Sequence, residues 1–126
     1  MLVTTIENWY KLRKMAKLSP ESKQLIINLK NRLLDIVDES KAVEFAILNR
    51  FGETAETLDS LEQLTEIALQ AESRFSQLSN LEIRAAQSQP MISPDLLRFI
   101  EEVIKTTQVP IPALMRSVEE IKLEWS

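Results

Sequence analysis

Basic and aromatic side chains interleave most densely at Trp9-Tyr10-Lys11-Leu12-Arg13-Lys14-Met15-Ala16-Lys17. In that segment Lys11, Arg13, Lys14 and Lys17 are placed to neutralise phosphates while Trp9 stacks on a base, the chemistry of a polyanion contact. The same residues also read as a basic amphipathic helix on an anionic surface. They read first as plain structure, with Trp9 packed beside Leu12, and next as a protein contact, ahead of the polyanion reading. Carboxylates offer a second chemistry, since Glu101-Glu102 and Glu119-Glu120 are adjacent acids. Acid–base work would need one carboxyl desolvated to raise its pKa. Neighbours on a helix point roughly 100° apart, so each pair reads as solvated face. An all-carboxylate Mg²⁺ site has no spacing signature here.

Composition excludes most other chemistry. The chain has no His, no Cys and one Gly. Imidazole and thiolate catalysis, zinc sites and Glu-x-x-His di-iron bundles therefore have no ligands or nucleophiles. A P-loop or dinucleotide fingerprint cannot be written with a single glycine. The expectation is a non-enzyme with no cofactor. Residues 1–20 show no apolar stretch of signal-peptide type, and no run of about 18 apolar residues exists, so a cytoplasmic protein without a membrane span is expected.

Charge divides along the chain. Residues 1–32 carry seven basic and two acidic groups, net +5, and the rest carries −9. A chain with a basic end and an acidic body can place its basic end against a polyanion, or against the acidic body of another copy.

The elements that must position these groups are all helical. With 44% hydrophobic and 27% charged residues, the chain is long enough to bury one core. No stretch alternates with period two between turn residues. The expected architecture is all-α, an antiparallel bundle of five or six helices in a single domain. The first helix is placed at residues 4–18, where Thr4 and Glu7 have capping-box spacing. Ser19-Pro20-Glu21 starts the second, since serine caps, proline fits the first helical position and an acid complements the dipole. Its expected core residues are Leu25, Ile26, Leu29, Leu33, Ile36 and Val37, then Val43, Ala46, Ile47, Leu48 and Phe51. Asp38-Glu39-Ser40 leaves open whether residues 20–51 form one helix or two. Gly52 ends the run in a left-handed cap.

A long helix is expected near residues 58–87, started by Thr57 or by an Asp59–Glu62 capping box. Leu61, Leu64, Ala68, Ala71, Phe75 and Leu78 step by 3 and 4 residues along it, a heptad seam. Ser93-Pro94-Asp95 repeats the serine–proline–acid start. Val109-Pro110-Ile111-Pro112 reads as a stiff, extended linker. The last helix begins at Pro112, with Ile111, Leu114, Val118, Ile121 and Trp125 in heptad steps. The Leu61–Leu78 seam and Trp125, one residue from the end of the sequence, are the candidate protein contacts.

Arg50-Phe51-Gly52-Glu53, Leu61-Glu62-Gln63-Leu64 and Ala71-Glu72-Ser73 together resemble a small helical module of unknown function. That module occurs at the C-terminal end of bacterial, often cyanobacterial, transposase-like proteins of the PD-(D/E)XK nuclease group. The likeness spans residues 50–78, and no Asp…Glu-x-Lys nuclease constellation stands upstream. It implies no activity, only bacterial origin and a protein-contact role.

The functional expectation is a helical accessory or adaptor protein acting through contact with another protein or with itself, as a homodimer. The alternative is a small subunit of a nucleic-acid-handling assembly that uses the basic N-terminal helix.

Overall fold

A computed structural model describes residues 17–88 and 90–126. Four helices occur among them: α1 (Pro20–Phe51), α2 (Leu58–Gln87), α3 (Pro94–Gln108) and α4 (Ile111–Glu124). The all-α expectation holds. The expected first helix lies outside the described residues apart from Lys17 and Leu18, and these two are not helical. Lys17 is exposed at a bend and Leu18 turns into the core.

The serine–proline signals act as written. Ser19 Oγ accepts from the Ser22 amide at 3.1 Å, and Ser93 Oγ accepts from the Leu96 amide at 3.1 Å. Each serine thereby satisfies one of the N–H groups that a helix start leaves unpaired. Asp38-Glu39-Ser40 causes no break, and α1 is one helix of 32 residues, roughly 48 Å long. The physical reason is a seam that runs straight through: Ile26, Leu29, Leu33, Ile36, Ser40, Val43 and Ile47 are all buried at alternating 3- and 4-residue steps. Ser40 occupies a core position of that seam, so its hydroxyl is not free to cap a new helix in water.

Gly52 stops α1 with φ +75° and ψ −177°, a combination that L side chains rarely adopt, while its amide bonds the Leu48 carbonyl at 3.0 Å. The turn into α2 is organised by two threonines rather than by the expected Asp59–Glu62 box. The Thr54 amide donates to Thr57 Oγ1 and the Thr57 amide to Thr54 Oγ1, while the Thr57 hydroxyl donates to the Gly52 carbonyl at 2.9 Å. Asp59 instead accepts from Gln63 one turn along α2.

α1 and α2 pack antiparallel along most of their length, and Lys30 reaches both Glu82 and the Phe75 ring across the pair. α3 and α4 then climb the opposite side of this hairpin end to end, forming a third leg. Arg74 in mid-α2 meets Thr106 at the top of α3, and Trp125 after α4 meets Ser60 at the start of α2. The expected count of five or six helices is not reached among the described residues, because residues 20–51 stay whole and residues 1–16 lie outside.

The extended Pro-x-Pro linker is also overturned. Val109 (φ −60°, ψ −50°) and Pro110 (φ −78°, ψ −14°) both keep right-handed helical angles. The buried seam continues in phase across them, from Ile100, Ile104 and Thr107 to Ile111, Val118 and Ile121. Packing of both halves against the hairpin outweighs the preference of a residue before proline for extended backbone. Pro110 has no N–H, so the Thr106 carbonyl loses its helical donor. Arg74 Nη1 supplies the replacement at 3.2 Å.

Two buried hydroxyls, Ser40 Oγ and Thr107 Oγ1, have no hydrogen-bond partner among the described residues. A buried polar atom without a partner carries its full desolvation penalty. Ser40→Ala is therefore expected to leave stability unchanged or raise it by up to about 1 kcal/mol, read as a higher urea midpoint at constant slope. A loss of more than about 1 kcal/mol would mean that the hydroxyl is bonded after all.

Candidate protein-contact face

The structure assigns the heptad seam of α2 to the interior of a single chain. Leu64, Ala68, Ala71 and Leu78 are essentially inaccessible, Leu61 is buried, and Phe75 is half-buried under Lys30. Trp125 is half-buried too. Its indole N–H donates to Ser60 Oγ at 2.9 Å, and its ring lies 5.2 Å from that of Phe51 at a 59° tilt. This edge-on pairing closes the turn end of the bundle, with the Arg50 guanidinium 5.3 Å from the Phe51 ring centre. Of the polyanion candidates, Trp9, Lys11, Arg13 and Lys14 lie outside the described residues, and Lys17 is exposed at the foot of α1.

What the structure brings together is a different set. Leu25, Leu48 and Phe51, expected in the core, are exposed. Leu48 shares one stripe of α1 with Ile27 and Leu34, at steps of 7 and 14 residues with Lys41 at the position between Leu34 and Leu48, and Phe45, 69% exposed, stands beside it. On α2 the corresponding side chains are Leu58, Leu69 and Ile83, the last two 53% and 55% exposed.

Helical geometry puts both rows on one side of the hairpin. Glu39 and Arg74 mark the directions of the third leg, through Lys122 and the Thr106 carbonyl. At about 100° per residue, the α1 row lies roughly 120–180° around its helix from Glu39, and the α2 row roughly 140–180° from Arg74. The outward face of the hairpin is thus apolar where a fourth leg of a bundle would sit. Scattered exposed apolar residues are ordinary, but a contiguous set on one face marks a contact surface.

At its upper end this face holds a shallow groove of about 380 Å³ between α1 and α2, floored by Leu48, Leu58 and Leu61. Its rim is acidic, with Glu44, Glu53, Glu62 and Glu66. Lys41 pairs with Glu44 at 3.2 Å, whereas Glu53, Glu62 and Glu66 form no ion pair among the described residues. No group of three or more acids there is gathered closely enough to hold a metal ion, again among the described residues. Among the described residues, the one clearly shifted side chain lies on the other side from this groove. A hydrogen bond and the charge of Glu39, with Glu119 nearby, raise Lys122 above the usual lysine value of 10.5. The pair is fully formed below that value and is lost only as pH rises past the raised one.

The signal for this face was present in the sequence as apolar residues lying off the seam, Ile27, Leu34 and Leu48. It was obscured because Leu48 fits a buried position when the helix phase is restarted at Ser40.

A scan against protein-family models matched no family. No curated protein and no solved structure proved similar to the chain. No helix among the described residues is long and apolar enough to cross a membrane.

Proposed function

We propose that this chain is a non-enzymatic helical accessory protein that works by binding protein, itself or another chain, on the outward face of the α1–α2 hairpin. The observation that carries this reading is the set of exposed apolar side chains on one face, Ile27, Leu34, Phe45 and Leu48 of α1 with Leu58, Leu69 and Ile83 of α2, of which Leu48 and Leu58 line the groove. An apolar centre within a charged rim is the anatomy of a protein interface. The absence of His and Cys from the composition supports the non-enzymatic part. The Arg50–Leu78 resemblance points the same way, since it covers the turn and the groove-bearing end of α2. The seam that sequence alone marked for contact is occupied by the chain's own core, so the working surface moves to the opposite side of the same two helices.

The test is a pull-down from nuclease-treated lysate with wild-type bait and with a Phe45→Ser/Leu48→Ser double variant. Both positions are exposed, so the variant should melt within a few degrees of wild type. A stoichiometric protein, or additional copies of the chain, should be recovered with wild type and reduced at least tenfold with the variant. Recovery that depends on nucleic acid, or that ignores the double variant, would overturn the proposal.

A further inference from the structure

Resting on that reading, we infer that the occupant of the outward face is a second copy of this chain, packed antiparallel about a two-fold axis near Leu34. The argument is the distribution of charge along the face. Its upper end is the acidic groove, where Glu53, Glu62 and Glu66 carry no ion pair among the described residues. Its lower end is basic. Lys23 is exposed there, Lys17 is exposed at the foot of α1, and Glu82 is already held by Lys30 at 2.7 Å. Among the described residues, 17–32 carry Lys17, Lys23, Lys30 and Arg32 against Glu21 alone. A parallel pair would set like charges against each other at both ends. An antiparallel pair sets Lys23 of each copy against the groove of the other, twice, as an isologous interface requires.

Geometry fixes the centre. Lys23 and the groove at Leu48 are 25 residues apart on one straight helix, roughly 37 Å. The midpoint falls beside Leu34, whose exposed side chain would meet its own counterpart, with Ile27 of one copy approaching the Phe45–Leu48 end of the other. The apolar residues of the two copies thus meet about the axis, with the Lys41–Glu44 pair of each copy among them and a lysine–glutamate contact at each end.

Because the chain contains no cysteine, single substitutions report the orientation directly. Sedimentation of the full chain should show concentration-dependent dimers. Under mild oxidant, Leu34→Cys should cross-link with itself. Lys23→Cys and Glu62→Cys should not cross-link alone, yet should form a mixed disulfide when combined. Lys23→Glu and Glu62→Lys should each weaken dimerisation on the order of tenfold, and an equimolar mixture should recover it, because unlike charges face each other again in the heterodimer. A monomer at every concentration would overturn the inference, even if the pull-down recovers a different protein on this face. Self-cross-linking of Lys23→Cys and of Glu62→Cys would also overturn it, by showing a parallel pair.

Discussion

Asp38→Pro is expected to lower stability by about 3 kcal/mol or more and to remove helical signal from the native protein. Asp38 is exposed and makes no side-chain hydrogen bond or ion pair among the described residues, so the effect isolates the backbone. In a continuous α1, proline at this position removes the bond to the Asp35–Leu34 turn and drives its ring into that turn. Were a helix boundary present at Asp38-Glu39-Ser40, proline would sit at a helix start and cost little. Chemical denaturation followed by circular dichroism separates the two cases. A change below about 1 kcal/mol would contradict the single 32-residue helix.

The second large effect is expected at Leu64. This side chain is fully buried where α2 faces the rest of the core, and Leu64→Ala should cost about 3–5 kcal/mol, the lost transfer energy plus that of the cavity left behind. Leu69→Ala, five residues along the same helix but 53% exposed, should change stability by no more than about 0.5 kcal/mol. The pair of denaturation midpoints tests which side of α2 is interior. Equal losses at both positions, measured at concentrations where sedimentation shows a monomer, would mean that the outward face is covered within the folded chain, and the contact proposal would fall with it.

Local signals were legible in the sequence wherever one residue type has one physical use. Ser19-Pro20 and Ser93-Pro94 start helices and Gly52 ends one, while the Leu61–Leu78 periodicity marked a packing seam without saying whether its partner lay in the same chain. Long-range packing was not legible. Whether Ser40 caps a helix or sits in a core depends on Val43 and Ile47 keeping the phase of Ile36, and periodicity read in short windows restarts too easily. Whether Val109–Pro110 is a linker or a kink depends on Ile111 continuing the row of Ile104 and Thr107 against the hairpin. The contact face had the weakest signal of all. Leu34 and Ile27 look like any other apolar residues until the direction of the third leg is known.

The proline kink has a consequence for how the third leg finds its place. A seam of repeating 3- and 4-residue steps fits its groove almost equally well after a slip of one heptad, about 10 Å along the axis. Hydrophobic packing alone leaves that ambiguity. Pro110 strips the Thr106 carbonyl of its helical donor, as Pro112 does for Gln108, and in the seated leg the Thr106 carbonyl stands 3.2 Å from Arg74 Nη1. Slipping by a heptad in either direction would give up that bond, so the seated register is favoured over its neighbours. The break in the third leg is thus its index mark, converting a degenerate fit into a single alignment of the chain.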